Sequence, residues 1–385
     1  MPKNVVILGS TGSIGINTLK VIERYSDRFK VAGLTAYNNL ELLAKQIKKF
    51  HPRWVAVPPK GIDFFKSRSF PKTIQWLNVE VDLPQLVSGR EVDIVVIGMR
   101  GSAALEPFLA AVRCGKTIAP ANKEALVIAG DIIMREAKKY KATIIPVDSE
   151  QSAIFQCLEG GRRQDLKKVI LTASGGPLRN VAKTKFDRLS VGQILNHPTW
   201  KMGKKITVDS ATLMNKGFEM IEALRLFHLT IDQIEVVIHP ESIIHSMVEF
   251  KDGATIAQMG VTDMRLPIQY ALSYPKRLAT GLKQINFIDL QKLTFLAPDL
   301  KKFPALDLAT FVARRGGTLP SVLNAADEIA VEAFLNRKIN FTSIYDVVEK
   351  VVLKHKIIPA LGLRAIFDAD KWARDYAKNT IERKR

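Results

Sequence analysis

The stretch VVILGSTGSIG, residues 5–15, predicts how the first part of the chain folds. Its first four residues are apolar and suit a buried strand, and the glycines that follow permit a tight turn. A helix with one apolar face comes directly afterwards. Strand, glycine turn and helix in this order bring a dinucleotide's pyrophosphate to a helix N-terminus. The spacing is G-x-x-G-x-x-G rather than the commoner G-x-G-x-x-G, so an ordinary glycine turn is the alternative.

Strands and helices continue to alternate up to residue 147. After the first strand, further strands are predicted at residues 31–36, 54–57, 93–98, 117–120 and 142–147. The basic, proline-containing residues 58–78 show no periodicity and are predicted to be an irregular surface segment. This alternation predicts a doubly wound parallel sheet, which binds ligands at the carboxyl ends of its strands.

The turn after the second predicted strand reads Tyr37, Asn38 and Asn39. In dinucleotide-binding folds an acidic residue at this turn binds the ribose hydroxyls of NAD and would repel the 2′-phosphate of NADP. The turn contains no acid, which favours NADP, and we expect Asn38 and Asn39 to contact the cofactor. It contains no lysine or arginine either, so the preference rests on the missing acid.

Asp148 and Glu150 follow the last predicted strand of this sheet. In an extended chain, residues two apart point to the same side, and two neighbouring carboxylates repel unless a cation lies between them. Mg²⁺ and Mn²⁺ are oxygen-seeking ions that use few protein carboxylates. The alternative is that Asp148 or Ser149 caps a helix that begins near Gln151.

Residues 197–223, HPTWKMGKKITVDSATLMNKGFEMIEA, form the second candidate site. A short strand is predicted at residues 206–208, followed by a helix that carries Asn215 and Glu219 on one face. Asn215 and Lys216 near a helix start suit an anion, because free backbone N–H groups point the same way. Glu219 suits a cation beside that anion. The segment predicts a site for a phosphorylated, metal-chelating small molecule, with a capped amphipathic helix as the alternative.

The chain is predicted to contain three domains. Residues 1–147 form the α/β, Rossmann-like domain, and residues 148–274 form an α+β domain with a hairpin at 246–259. Prolines, lysines and short apolar runs mark residues 275–304 as a linker. Residues 305–385 show only helical periodicity and are predicted to be all-α.

The chain is strongly basic, with 57 lysines and arginines against 38 aspartates and glutamates and a net charge of +19. Nucleic-acid binders are often this basic. Here the basic residues are scattered in pairs without interleaved aromatics, so no nucleic-acid partner is predicted.

No apolar run approaches the ~20 residues of a membrane span, and no signal-peptide pattern is visible. The two cysteines form no disulfide framework. A cytoplasmic protein without a membrane partner is expected.

Five motifs in order resemble the 1-deoxy-D-xylulose 5-phosphate reductoisomerase family over essentially the whole chain: GSTGSIG, ANKEALV, VDSEQSAIFQCL, LTASGGP and the segment 197–223. The resemblance implies an enzyme that converts 1-deoxy-D-xylulose 5-phosphate, a small phosphorylated sugar, to 2-C-methyl-D-erythritol 4-phosphate. It implies NADPH and a divalent metal (Mn²⁺, Mg²⁺ or Co²⁺) as cofactors, and a homodimer. Another NADP-dependent sugar-phosphate or semialdehyde dehydrogenase, or a non-enzymatic basic binding module, is the alternative.

The same resemblance implies roles for individual residues. The metal ligands would be Asp148, Glu150 and Glu219, and the catalytic residues would be these three with His197 and Lys123. The substrate would be surrounded by Lys123, Ser149, Glu150, Ser174, His197, Trp200, Ser210, Asn215, Lys216 and Glu219. The cofactor would be contacted by Thr11, Gly12, Ser13, Ile14, Asn122, Glu124 and Gly203. The loop around Trp200 resembles the mobile flap of the family.

Two segments depart from the family's pattern. The family commonly shows Gly-Lys-Asn where this chain has Tyr37, Asn38 and Asn39, so a lysine that could meet the 2′-phosphate is missing. Residues 98–104 read GMRGSAA where the family usually has small residues. An additional arginine, Arg100, is therefore expected near the cofactor.

Overall fold

The computed structural model describes residues 1–68, 70–99, 101–200 and 202–383. The strands are β1 Lys3–Leu8, β2 Phe29–Thr35, β3 Trp54–Val57, β4 Gln75–Asn78, β5 Ile94–Ile97, β6 Thr117–Pro120, β7 Thr143–Ile144, β8 Leu166–Ala173, β9 Ile234–Ile238, β10 Ile244–Phe250 and β11 Thr255–Met259. The α-helices are α1 Ser13–Arg24, α2 Leu40–Phe50, α3 Pro59–Lys66, α4 Leu83–Ser88, α5 Leu105–Arg113, α6 Lys123–Tyr140, α7 Ser149–Leu158, α8 Val191–Leu195, α9 Lys204–Thr212, α10 Met214–Phe227, α11 Arg265–Ser273, α12 Phe287–Leu290, α13 Ala305–Arg315, α14 Leu319–Leu335, α15 Thr342–Lys354 and α16 Leu363–Glu382.

The chain divides into two compact units. The first contains Met1–Ala125, Ile133–Ser152 and Asp263–Leu282. The second contains Leu126–Ile132, Ala153–Thr262 and Lys283–Arg385. The division into three domains and a linker, drawn from the sequence, stays a prediction. None of the described helices is long and apolar enough to cross a membrane.

The first unit is built on a seven-stranded sheet in the order β4-β3-β2-β1-β5-β6-β7. All its strand pairs are parallel. From β1 the chain first adds strands on one side and then returns to β5 on the other side. The predicted doubly wound sheet is therefore confirmed, and the strand order reverses between β1 and β5. Ligands of such sheets bind at this reversal, outside the carboxyl ends of the two strands.

The glycine turn after β1 is fixed by close backbone contacts. Gly9 has φ +84°, and a Cβ there would lie 3.0 Å from the carbonyl of Gly98 in the loop after β5. A Cβ on Gly15, in the first turn of α1, would lie 2.3 Å from the Cα of Ser10. Gly12 is different, because a Cβ there would approach the Gly9 carbonyl oxygen only to 3.4 Å. Gly9 and Gly15 therefore shape the turn, whereas the fold leaves room at Gly12.

The irregular segment predicted at residues 58–78 is wrong, because it contains α3 and β4. Phe65 of α3 is buried and stacks on Trp76 of β4, with ring centroids 4.8 Å apart. β4 in turn pairs in parallel with β3. Both elements are short and depend on this aromatic contact across the chain, so they leave no periodic pattern in the local sequence.

The second unit contains a four-stranded sheet in the order β11-β10-β8-β9. The predicted hairpin is confirmed, since β10 pairs with β11 in antiparallel fashion, while β8 and β9 are parallel. The C-terminal region is helical from α13 to α16, as expected. Its central helix, α14, is buried along most of its length.

The strand predicted at residues 206–208 is wrong, because these residues lie inside α9. Ile206, Thr207 and Val208 are β-branched and favour strands when considered alone. In the fold, an ion pair between Lys205 and Asp209, four residues apart, spans this segment along the helix. Lys205 also pairs with Asp327 of α14 at 2.7 Å, so a tertiary contact adds to the local pair and overrides a weak local preference.

Gly15→Ala should lower the free energy of unfolding of the first unit by about 1–3 kcal/mol, because the added methyl overlaps the Ser10 backbone. Gly89→Ala in the same unit is the matched control, since its Cβ would meet its nearest neighbour at 3.4 Å, an ordinary contact. Urea unfolding of both variants measures the difference. Equal stability of the two variants would contradict this account of the turn.

Candidate functional site

The predicted cofactor residues of the first unit follow the carboxyl ends of β1, β2 and β6. Gly12 and Ser13 are exposed, and Thr11 and Ile14 are half-buried. Asn122 is buried at the start of α6, where its Oδ1 accepts the N–H of Ala125 at 3.1 Å. Its Nδ2 donates to the carbonyl oxygen of Met99, which ties the loop after β6 to the loop after β5.

Lys123 and Asp148 form a buried ion pair in the first unit. Their Nζ and Oδ2 atoms are 2.7 Å apart, and the side chains are 7% and 10% exposed. A buried carboxylate with a paired ammonium avoids the large cost of an uncompensated buried charge. The sequence placed both residues at strand ends but did not predict that they would pair.

The extended conformation predicted at Asp148 and Glu150 is wrong, because α7 begins at Ser149. Asp148 accepts the N–H of Glu150 at 3.3 Å, as a helix-capping residue does. Ser149 donates its hydroxyl to Glu150 Oε2 at 2.5 Å. Asp148 and Glu150 nevertheless each offer a carboxylate oxygen within 4.8 Å of the other. Asp148 therefore caps α7, and its carboxylate also stays close to the carboxylate of Glu150.

The turn after β2 has an acidic neighbour that the sequence argument missed. Asn39 caps α2 by accepting the N–H of Leu42 at 3.1 Å. The exposed hydroxyl of Tyr37 donates to Glu80 Oε1 at 3.0 Å, and this hydrogen bond raises the pKa of Tyr37. Glu80 follows β4, far from the turn in sequence, so no local signal could have found it. The arginine expected near the cofactor, Arg100, lies outside the described residues.

In the second unit His197 joins two serine hydroxyls. Its Nε2 lies 3.2 Å from Ser174 Oγ, after β8, and 3.2 Å from Ser210 Oγ in α9. Its Nδ1 accepts the backbone N–H groups of Thr199 at 3.2 Å and Trp200 at 3.0 Å. Burial lowers the pKa of His197. A neutral imidazole whose Nδ1 accepts carries its proton on Nε2, so this nitrogen is a donor toward the two hydroxyls.

Two glycines let the Ser174 loop approach α9. Gly175 and Gly176 have φ values of +80° and +68°, and a Cβ on Gly176 would lie 2.4 Å from the carbonyl oxygen of Ser210. The guanidinium of Arg179 donates to the Ser174 carbonyl at 2.8 Å. Arg179 was missed by the sequence argument, although its position two residues after the LTASGGP motif could have indicated it.

The start of α10 brings three predicted residues together. Asn215 Nδ2 donates to Glu219 Oε1 at 2.6 Å, and Lys216 Nζ donates to Glu219 Oε2. Lys216 and Glu219 are 3% and 1% exposed. Leu213, with φ +63°, separates α9 from α10 and orients the second helix. A carboxylate, an ammonium and an amide are therefore held together in a buried place.

The Trp200 loop contacts a histidine that the sequence did not assign to the site. The rings of Trp200 and His245 are 6.1 Å apart and inclined by 56°. His245 is buried in β10, and burial lowers its pKa to about 4. Gly203, where this loop ends, precedes the first residue of α9. A neutral ring therefore supports the loop at neutral pH.

Three family models match consecutive parts of the chain. Residues 5–130 match the model for 1-deoxy-D-xylulose 5-phosphate reductoisomerase. Residues 144–227 match the model for the C-terminal domain of the same enzyme, and residues 259–376 match a further DXP reductoisomerase C-terminal domain. Together the matches extend over most of the chain.

Curated relatives and solved structures are similar over nearly the full length. The 1-deoxy-D-xylulose 5-phosphate reductoisomerase of Pelotomaculum thermopropionicum is 48% identical over 98% of both chains. That of Thermoanaerobacter pseudethanolicus is 50% identical over 96% of this chain and 97% of its own. A crystal structure of DOX-P reductoisomerase with NADPH, fosmidomycin and magnesium has a TM-score of 0.94 at 40% identity, covering 99% of this chain and 98% of its own. The Zymomonas mobilis enzyme with NADPH has a TM-score of 0.93 at 39% identity, covering 99% and 100%.

The buried His245 and the half-buried His197 should bind protons more weakly than exposed histidines. We expect His245 to stay neutral until the pH falls to about 4, and His197 to titrate below the ordinary histidine range. The unfolded chain then binds more protons, so the stability that depends on the neutral rings is complete above the ordinary range and is lost as the pH falls through the lowered pKa values. Histidine NMR titration, assigned with His197→Asn and His245→Asn, measures both. A His245 pKa at or above 6.5 would contradict the role of burial.

Proposed function

The chain belongs to the 1-deoxy-D-xylulose 5-phosphate reductoisomerase family, and from this membership we propose that it rearranges and reduces 1-deoxy-D-xylulose 5-phosphate to 2-C-methyl-D-erythritol 4-phosphate. The observation that carries the proposal is the match to a reductoisomerase holding NADPH, fosmidomycin and magnesium over nearly the whole of both chains. NADPH supplies the hydride, and a divalent cation supplies Lewis-acid polarisation of the substrate's carbonyl. The residues of the chain bind, orient and shield these groups.

The cofactor's pyrophosphate is assigned to the glycine turn of the first unit. α1 is a twelve-residue helix with no acidic residue in its first turn, so its N-terminus favours an anion. The room left at Gly12 permits close approach of a phosphate to Thr11, Ser13 and Ile14. The other assigned cofactor contacts lie at Asn38, Asn39, Asn122, Glu124 and Gly203.

The substrate's phosphate is assigned to the donors of the second unit. His197 Nε2–H and the hydroxyls of Ser174 and Ser210 meet within hydrogen-bond distance, and hydroxyl protons rotate to suit an acceptor. Lys216 and Asn215 add a charge-assisted and a neutral donor. A neutral His197 donates without a permanent charge, so Lys216 supplies the cation.

The metal is assigned to Asp148, Glu150 and Glu219. Asp148 and Glu219 are buried, Glu150 is half-buried, and three carboxylates are a donor set that could hold a divalent cation. Oxygen donors of this kind suit Mg²⁺ and Mn²⁺. Lys216 carries a single positive charge, whereas a phosphate monoester carries about −1.5 to −2 at neutral pH, so Lys216 alone does not neutralise the phosphate together with Glu219. A divalent cation held by these carboxylates would add positive charge beside the phosphate, which supports the assignment.

The remaining assigned residues orient and shield the substrate. Lys123 holds Asp148 at 2.7 Å and is assigned, with Ser149, to contact the substrate's oxygens. Trp200 lies in the loop between His197 and α9, and we propose that this loop closes over the substrate. Closure would exclude water and strengthen the electrostatic contacts inside.

We also propose a cytoplasmic homodimer that associates through the sheet of the second unit. One edge of this sheet is covered, since Leu296 pairs with Ile238 of β9. The opposite edge strand is β11. An edge strand presents backbone donors and acceptors to another chain, which makes β11 the side where a second copy would pair or pack.

The three carboxylates should be needed for metal but not for NADPH. We expect Glu219→Gln and Asp148→Asn each to raise the Mg²⁺ concentration for half-maximal NADPH oxidation at least tenfold, or to abolish turnover of 1-deoxy-D-xylulose 5-phosphate. NADPH binding, followed by fluorescence titration, should change less than twofold, because its phosphates are assigned to the turn at Gly12. Calorimetric titration with Mg²⁺ gives a readout that does not depend on turnover.

Glu249→Gln is the control, because Glu249 is an acid of the second unit that pairs with Lys167 on the sheet, outside the assigned metal site. It should behave as the parent protein. A wild-type rate at limiting Mg²⁺ for either site variant would sink the three-acid assignment. Absence of NADPH oxidation by the parent protein, with and without Mg²⁺ or Mn²⁺, would sink the activity itself.

Ala257→Lys should weaken the dimer, because it places a charge on the exposed edge strand β11. Leu361→Lys, at another exposed position of the same unit, is the control and should not change the assembly. Sedimentation equilibrium at micromolar concentration should give a dimer for the parent and the control, with a shift toward monomer for Ala257→Lys. A monomeric parent would contradict the proposal.

A further inference from the structure

The loop that follows β8 ends in an arginine that folds back onto the first residue of the loop. Arg179 donates from its guanidinium to the backbone carbonyl of Ser174 at 2.8 Å. Both residues are half-buried, and Leu178 between them is buried. Ser174 is assigned to the substrate's phosphate, whereas Arg179 has no assigned role. We call residues 174–179 the serine loop.

Two glycines give the serine loop little conformational preference of its own. Gly175 and Gly176 have positive φ values, and glycine adopts positive and negative φ about equally well. Contacts with other residues must therefore select the observed conformation. On one side, a Cβ on Gly176 would lie 2.4 Å from the Ser210 carbonyl oxygen of α9. On the other side, a Cβ on Gly175 would lie 2.9 Å from Cδ of Arg179. The loop is held between α9 and the arginine side chain.

Arg179 is itself held by a lysine that is distant in sequence. Lys302 donates from Nζ to the backbone carbonyl of Arg179 at 2.7 Å. The same ammonium lies 5.8 Å from the ring centroid of Phe186 and 5.2 Å from that of Phe303. Cations are attracted to aromatic rings at such distances. The backbone of Arg179 is therefore fixed, and its side chain reaches Ser174 from a defined point.

The described partners of the Ser174 hydroxyl are both hydrogen-bond donors. Gly176 donates its backbone N–H to Ser174 Oγ at 3.2 Å, and His197 Nε2, which carries the ring proton, lies 3.2 Å from the same oxygen. A hydroxyl has two lone pairs that accept and one proton that it donates. Since both partners donate, the proton of Ser174 remains to donate to another acceptor. A phosphate oxygen is such an acceptor.

We propose that Arg179 is a positioning residue for the substrate's phosphate: by holding the Ser174 carbonyl it fixes the serine loop against α9, so that the Ser174 hydroxyl donates to a phosphate oxygen. The ligand in this statement rests on the proposed function, whereas the restraint on the loop does not. Among the residues assigned to the substrate, the described hydrogen bond of Arg179 goes to Ser174 alone, so Arg179 acts through Ser174. A guanidinium stays charged at any working pH, so this restraint does not depend on pH.

Arg179→Met removes the guanidinium but keeps an unbranched side chain that can cover Gly175. We expect it to weaken binding of 1-deoxy-D-xylulose 5-phosphate about tenfold, the effect of losing one charge-assisted hydrogen bond. Calorimetric titration at saturating Mg²⁺ without NADPH measures the dissociation constant. NADPH binding, followed by fluorescence titration, should change less than twofold.

Arg314→Met is the control, because Arg314 is an exposed arginine of the same unit that pairs with Asp232 at 2.8 Å. It should bind the substrate as the parent protein does.

A double-mutant cycle with Ser174→Ala tests whether Arg179 acts through Ser174. Ser174→Ala alone should weaken substrate binding about tenfold. Adding Arg179→Met should weaken it by less than a further twofold, because the hydroxyl that Arg179 positions is already gone. An arginine that contacted the phosphate itself, or whose loss disturbed the whole unit, would add its full tenfold loss.

If Arg179→Met does not fold, Arg179→Lys takes its place in the cycle, since lysine keeps the charge but lacks the planar fork of the guanidinium. The expected loss is then at least fivefold with Ser174 present, and less than twofold in the Ser174→Ala background.

Hydrogen exchange of the Gly176 backbone amide reports on the serine loop without ligand or turnover. This amide belongs to a buried residue and donates to Ser174 Oγ. Its exchange should be at least tenfold faster in Arg179→Met than in the parent protein, and unchanged in Arg314→Met.

Parent-like substrate affinity in Arg179→Met would overturn the proposal, and so would parent-like exchange at Gly176 in that variant. A full additional loss in the double variant, or an equal loss in Arg314→Met, would also overturn it. If the parent protein neither binds nor reduces 1-deoxy-D-xylulose 5-phosphate but the exchange result holds, the proposed function fails and the restraint of the serine loop by Arg179 stands.

Discussion

The pairing of buried carboxylates with lysines is the interaction on which the site depends. Glu219 has Lys216 beside it, and Asp148 has Lys123 at 2.7 Å, both in places where an unpaired carboxylate would be very costly. These pairs compensate the charge of each acid through a neighbouring ammonium. They also place an ammonium beside each acid, ready to interact with a negatively charged ligand. The charges of Asp148 and Glu219 are thus compensated before a ligand arrives, whereas the assigned set also contains Glu150.

The fold supplies this balance from rigid elements. The parallel sheet of the first unit ends in loops that carry Lys123 and Asp148, and the second unit begins α10 with Lys216 and Glu219. The break at Leu213, the glycines beside Ser210 and the ion pair between Lys205 and Asp327 of α14 all contribute to where α9 lies. A reductoisomerase must hold a phosphate, a carbonyl and a hydride donor in one arrangement, and binding energy at the phosphate serves that positioning. The positions of α9 and α10 are therefore part of the chemistry.

The sequence predicted most of the architecture because strongly periodic segments and glycine turns are local signals. It failed where tertiary contacts decide. α3 and β4 depend on the packing of Phe65 against Trp76, and residues 206–208 lie in a helix that Lys205 joins to Asp327 of α14. Site residues could be proposed from motifs, but their partners could not. The Lys123–Asp148 pair and the approach of Glu80 to the turn after β2 join distant parts of the chain and leave no pattern in either segment.

Charge balance at Glu219 can be tested by thermodynamic linkage, because two ligands that relieve each other's charge must bind cooperatively and reciprocally. The decisive measurement is calorimetric titration of 1-deoxy-D-xylulose 5-phosphate in the absence of NADPH, repeated at increasing Mg²⁺ concentration. Since Lys216 cannot fully neutralise both Glu219 and the phosphate, the account predicts that saturating Mg²⁺ strengthens substrate binding about tenfold or more. Mg²⁺ binding should gain the same factor from substrate. Substrate affinity that does not depend on Mg²⁺ would contradict the account.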